Sequence, residues 1–222
     1  MMVAREKVIQ MPTRRIPIEA IISISIVTIC VSILLAVQIH GRNSRVYLTS
    51  PRISAIKSLH NALAEWTESG IRGRVLLLFA RNVGEEQMER LVPLDAYKIS
   101  DDNYVYLAIK RNLLRSVYHV LKDADLEEAS KTLRRFPSVA QTGNSFRSGI
   151  DDAPLIITRV RELGHFNEPV IILIDCDYIA ETDIRTIIST LKHNGTCSDL
   201  ISLSGNVSPR LLKEVEAIGC AK

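Results

Sequence analysis

The stretch Glu168-Pro169-Val170-Ile171-Ile172-Leu173-Ile174-Asp175-Cys176-Asp177-Tyr178 decides how this chain is read. Five consecutive aliphatic residues follow a proline and run into two aspartates separated by one residue. A β-branched run with no polar alternation is the mark of a strand buried on both faces, as in a parallel sheet. Side chains on a strand repeat every two residues, so Asp175 and Asp177 point the same way if the chain stays extended through Asp177. Two carboxylates held together at a strand end repel unless a cation, a proton or a donor compensates them. The pattern predicts a site at that strand end.

Outward from this strand, apolar runs predict further strands at Arg74–Ala80, Ser116–Leu121 and Asp199–Leu203, with a short one at Ser138–Thr142. Helical spacing fills most of the intervals. Ser50-Pro51 predicts a helix start, with Ile53, Ile56, Leu59, Leu63 and Trp66 forming one apolar face up to Gly70. Further helices are predicted from Asp101 or Asp102 through NYVYLAIKRNLL, over Asp125–Arg135, over Glu181–Asn194, and from Ser208-Pro209 onward. Asp151-Asp152-Ala153-Pro154 predicts a helix start for LIITRVRELG, and Gly143–Gly149 a loop. Alternating strands and helices predict an α/β fold, a doubly wound parallel sheet of about five strands.

One segment departs from globular composition. Ala20–Ile39, twenty residues, carries no charge. At 1.5 Å per residue it spans about 30 Å, the thickness of a bilayer core. Its length, and the lack of a small-residue cleavage pattern at Gln38-Ile39-His40-Gly41, predict a retained single-pass signal-anchor. The expected organisation is a basic tail (1–17), a transmembrane anchor in contact with lipid (18–40), a linker (41–50) and an α/β domain (51–222). Residues 1–19 hold four basic and two acidic side chains, two of the three net positive charges of the 222-residue chain. The domain itself is nearly neutral, so a phosphate-tracking nucleic-acid surface is not indicated. A basic tail before the first span favours an inside N-terminus and an extracytoplasmic domain.

Ligands of open parallel sheets sit outside the carboxyl ends of the strands. The residues predicted there are Arg81 and Asn82, Lys122 and Asp123, Thr142 and Asn144, Asp175 and Asp177, and Ser204 and Asn206. Asp175 and Asp177 are the candidate metal ligands, and two carboxylates suit a hard divalent cation, Mn²⁺ or Mg²⁺, better than zinc. No Walker A, G-x-G-x-x-G, G-x-S-x-G or H-E-x-x-H sequence occurs. His60, His119 and His165 lack ligand spacing and read as structural. Cys30, Cys176, Cys197 and Cys220 form no C-x-x-C, and Cys197 with Cys220 is compatible with a disulfide in an oxidising compartment.

Three stretches, SDDNYVYLAIKRNLLRSVYHVLKD (100–123), EPVIILIDCDYI (168–179) and SDLISLSGNVSP (198–209), carry a resemblance. Together they resemble the arginase/deacetylase-like ureohydrolase superfamily over residues 74–208. The resemblance implies that Asp175 and Asp177 match that family's late metal-binding aspartates. The family's earlier D-x-H-x-D cluster would fall in LLLFARNVGEEQ (76–87), which holds neither histidine nor aspartate. A two-metal hydrolytic site needs more than one D-x-D. The expected function is a membrane-anchored ureohydrolase-like domain, non-catalytic or degenerate, that binds a ligand or envelope partner at the strand ends. Two alternatives stand beside it. One is an active metal-dependent hydrolase. The other is a glycosyltransferase-like protein, since VIILIDCDYIAETDI (170–184) is similar to the D-x-D segment of retaining transferases.

Overall fold

The computed structural model describes residues 52–84 and 92–219. The basic tail, the transmembrane anchor and the linker lie outside the described residues, as do Ser50 and Pro51. Among the described residues no helix is long and apolar enough to cross a membrane.

Eight strands form one mixed sheet: β1 (Arg52–Ile56), β2 (Arg74–Phe79), β3 (Leu114–Val120), β4 (Ala140–Thr142), β5 (Ser145–Ile150), β6 (Ala153–Thr158), β7 (Val170–Asp175) and β8 (Ser198–Ser204). Their order is β1-β8-β7-β2-β3-β6-β5-β4. The six strands from β1 to β6 in that order pair in parallel, and β5 and β4 add an antiparallel edge. The α/β class holds, but the sheet is mixed and larger than the expected five parallel strands. Among the described residues five α-helices accompany it: α1 (Asn61–Glu68), α2 (Tyr104–Lys110), α3 (Asp123–Leu133), α4 (Glu181–His193) and α5 (Pro209–Val215).

β2, β7 and β8 are buried nearly throughout; β2 and β7 carry the unbroken apolar runs that such burial favours, whereas β8 buries Ser198, Asp199, Ser202 and Ser204 as well. One face packs Leu76, Leu78, Ile171 and Leu173 against Leu63 and Trp66 of α1, Leu107 of α2 and Leu126 of α3. The other packs Leu77, Phe79, Ile172 and Ile174 against Ile184, Ile188 and Leu191 of α4 and Leu211 and Val215 of α5. The predicted Ile184–Leu191 stripe is the buried face of α4. α5 starts as its sequence predicts, with the Ser208 hydroxyl accepting from the Leu211 amide at 3.2 Å.

Three predicted elements differ. Residues 52–56 form edge strand β1, in register with β8 (Ile53 beside Ile201), and the helix begins only at Asn61. The chain's helical spacing gives way there because β8 offers an unpaired edge, an interaction no local periodicity encodes. LIIT is the body of strand β6, whereas a helix was predicted for LIITRVRELG. Asp151 and Asp152 make the two-residue turn from β5, with Asp151 at φ 53°, a conformation aspartate tolerates. Gly143–Gly149 is mostly strand: Gly143-Asn144 is a two-residue hairpin loop between Thr142 and Ser145, with Gly143 at φ 59°.

At the amino edge of the sheet, Arg74 reaches across β7 to Asp199 of β8, Nη2 to Oδ2 2.7 Å, with both side chains fully buried. Removing one partner of a buried pair strands the other charge in a poor dielectric. Asp199→Asn is expected to lower stability by about 3–5 kcal/mol, seen in urea unfolding as a lower midpoint with an unchanged slope. A change under 1 kcal/mol contradicts a structural role for the pair.

Candidate functional site

β2 and β7 are adjacent, yet the chain leaves them in opposite directions. From β2 it crosses through α2 to β3, and from β7 through α4 to β8, with the two helices on opposite faces. Such a reversal opens a crevice outside the carboxyl ends of the two strands. Arg81 and Asn82 leave β2 on one side of it, and Asp175 to Tyr178 leave β7 on the other. Lys122 follows β3, and Ser204 ends β8 beside Asp175. Thr142 and Asn144 lie at the far β4–β5 hairpin, where Asn144 donates to Glu162 at 3.0 Å.

The two aspartates do not extend a strand together. β7 ends at Asp175, and residues 176–178 turn. The Asp175 carbonyl accepts from the amides of Tyr178 at 3.1 Å and Ile179 at 2.8 Å. Its carboxylate accepts from the Asp177 amide at 3.1 Å, the turn-forming use of an aspartate. Asp177 is exposed, and its carboxylate lies over Gly205. At φ 83°, a Cβ on Gly205 would stand 2.7 Å from the Asp177 carboxylate, so glycine is required there. The turn breaks the two-residue period on which a shared direction depended. Among the described residues no group of three His, Cys, Asp or Glu side chains gathers to hold a metal ion. The pair alone does not fit a hydrolytic metal centre. Between the aspartates, burial and then the charges of Asp175, Asp177 and Glu181 push the Cys176 thiol up to about 11, leaving it a poor nucleophile at neutral pH.

Tyr178 is the hub of the crevice. Its hydroxyl donates to Asp125 Oδ2 on α3 and receives the Lys122 amide at 3.4 Å. Burial and the Asp125 bond raise its phenol, so it stays protonated. Lys122 Nζ lies 4.7 Å from the ring centroid, and the Arg81 guanidinium carbon lies 5.9 Å from it. Both cations are exposed, and neither has an ion pair among the described residues. The ring therefore gathers the exits of β2, β3 and β7, where two cations stand among the carboxylates of Asp125, Asp175 and Asp177.

Beside that rim, on the α3 face, lies a cleft of about 530 Å³. Arg81, Asn82 and Asp102 stand at it with His119, against Leu121, Leu133, Leu155 and Ile157. His119 is 5 % exposed, and its Nε2 lies 2.7 Å from the Ala80 carbonyl. Loop 81–84 above it is fixed by Gly84, whose carbonyl accepts from the Val105 and Tyr106 amides of α2. At φ 67°, a Cβ on Gly84 would meet the Tyr104 ring at 2.4 Å. The Tyr104 hydroxyl is buried without a hydrogen bond among the described residues. Burial and then the Asp101 and Asp175 charges raise its phenol.

His119 read from sequence alone as a structural mid-strand histidine, and its bond to Ala80 is structural. Its place in a cleft was not legible, because the partner carbonyl comes from the neighbouring strand. The signal available was a lone polar ring in an apolar strand, SVYHVL. His60, also read as structural, pairs its Nδ1 with Asp101 Oδ1 at 2.9 Å; His165 bonds the Asn194 carbonyl at 2.9 Å. No family model matches the chain, and no curated protein or solved structure matches it.

Burial holds the His119 imidazole below the usual histidine range, with the Ala80 hydrogen bond opposing the shift. The unfolded chain takes up that proton near pH 6.5, about the ordinary value, and the native chain only at lower pH. This contribution to stability is thus complete above about pH 6.5 and is lost as the pH falls toward the native value. His119→Gln is expected to flatten the acid-side decline by up to about 1.4 kcal/mol per pH unit, measured as the difference between the two proteins in urea unfolding from pH 7 to pH 5. Parallel declines contradict the assignment.

Proposed function

We propose that this chain is a membrane-tethered, non-catalytic α/β binding domain whose ligand or envelope partner is held at the carboxyl edge of the sheet, between the exits of β2, β3 and β7. The observation that carries this reading is the pair Arg81 and Lys122, two exposed cations without ion pairs among the described residues, both on Tyr178 at the β2/β7 switch point. Cations with no ion pair of their own at such an edge favour an anionic group on the partner, whose binding must also offset the nearby carboxylates of Asp125, Asp175 and Asp177. The tether is the uncharged run within 18–40. The disulfide-bonded state of Cys197 supports an oxidising compartment, and with it an extracytoplasmic domain. The ureohydrolase resemblance enters as a proposed origin of the late strand and its D-x-D, with the site rebuilt from cations in place of metal. The hydrolase and glycosyltransferase alternatives both require Asp175 and Asp177 to bind Mn²⁺ or Mg²⁺.

Thermal unfolding of the full chain in detergent tests these readings together. A ligand at 100 times its Kd adds about 2.7 kcal/mol to the folded state, roughly 5–10 °C for a domain of this size. Among carboxylate, phosphate and sulfate probes, at least one is expected to raise Tm in this way, and Arg81→Ala with Lys122→Ala to abolish the rise. No rise with any anion, or one that survives the double substitution, overturns the reading. A rise with Mn²⁺ or Mg²⁺ lost in Asp177→Asn restores a metal-dependent enzyme in its place.

A further inference from the structure

The structure fixes the protonation pattern of His119, on β3 at the carboxyl edge. The Ala80 carbonyl can only accept, so the Nε2 atom 2.7 Å from it carries the hydrogen. A ring this deeply buried stays neutral at pH 7, which leaves Nδ1 with a bare lone pair. His119 lines the 530 Å³ cleft, and its Nδ1 makes no hydrogen bond among the described residues. Nδ1 stays open to solvent, and a ligand that shuts water out of the cleft must bring a hydrogen to it, since an acceptor buried without a donor costs free energy. Leu133, Leu155 and Ile157 supply apolar wall, and Arg81 stands at the same cleft while reaching the Tyr178 ring. The volume falls in the range of small-molecule sites.

Resting on the anion-binding reading above, we propose that this cleft binds a medium-chain hydroxycarboxylic acid: alkyl chain on the leucine and isoleucine walls, hydroxyl donating to His119 Nδ1, carboxylate on Arg81. Each part of the ligand answers one feature of the cleft. An acid without the hydroxyl leaves Nδ1 unmet, and a phosphate or sulfate without the chain leaves the walls wet. Asp102, also at the cleft, disfavours a second negative charge on the ligand and so favours a monoanion.

Calorimetric titration of the full chain in detergent at pH 7 compares 2-hydroxyoctanoate and 3-hydroxyoctanoate with octanoate. One hydroxy acid is expected to bind about tenfold tighter than octanoate, the worth of one hydrogen bond. Leu133→Trp, which fills the cleft, is expected to abolish binding of all three. His119→Phe is expected to remove the tenfold preference while octanoate still binds. In ¹⁵N spectra of the unsubstituted chain, the free protein is expected to show a non-protonated Nδ1 that shifts on adding the hydroxy acid, a readout that does not depend on a variant folding. Equal binding of hydroxy acid and octanoate, binding that survives Leu133→Trp, or an unshifted Nδ1 signal overturns the proposal. Absence of binding by all three acids overturns it too. The broader anion-binding reading then stands or falls separately, on whether phosphate or sulfate raises Tm through Arg81 and Lys122.

Discussion

Everything in this domain depends on two strands that must be dry on both faces. β2 and β7 alternate aliphatic side chains toward both layers, with Leu76, Leu78, Ile171 and Leu173 on one side and Leu77, Phe79, Ile172 and Ile174 on the other. Neither face tolerates water, so helices must cover both. Covering both faces from adjacent strands sends the chain out of β2 and β7 in opposite directions, and that divergence creates the crevice at their carboxyl ends. At the other end of the same strands, Arg74 and Asp199 form a buried ion pair that spans β7. The crevice is therefore a consequence of burying the core, before any particular ligand is considered.

The part of this architecture legible in the sequence is the part with strong local signals. RVLLLF and VIILID are unbroken apolar runs, and ETDIRTIISTLKH carries a clean helical stripe, so β2, β7 and α4 were all predictable. What escaped were the strands whose identity comes from their neighbours. β1 has isoleucines at helical spacing and becomes a strand by pairing with β8. β6 follows an Asp-Asp-Ala-Pro start suited to a helix, yet its residues pair with β3 on one side and β5 on the other. Gly143-Asn144 suits a two-residue hairpin, yet the segment reads as a loop because the polar residues around it lack the alternation that marks a strand.

The site follows the same division. Arg81, Asn82, Lys122, Asp175 and Asp177 are placed at strand exits by counting along the sequence, and they lie at those exits in the fold. The relation between Asp175 and Asp177 was not countable, because it depends on the turn in which one carboxylate accepts the other residue's amide. Tyr178, next in sequence, is the side chain that links three strand ends, through Asp125 from a segment more than fifty residues earlier. The orientation of the His119 ring depends on Ala80, thirty-nine residues away. Long-range hydrogen bonds thus bring a phenol and an imidazole, with two cations on the phenol ring, to the edge where the sequence shows two carboxylates.

The central claim, that β2 and β7 are the doubly covered axis on which the carboxyl edge is built, is tested most directly by native-state amide hydrogen exchange in the full chain. The account predicts that Leu76–Leu78 and Ile171–Leu173 exchange only through global unfolding, while Gln141 and Thr142 of the exposed edge strand exchange by local opening. Exchange of the β2 and β7 amides at rates like those of β4 would contradict it.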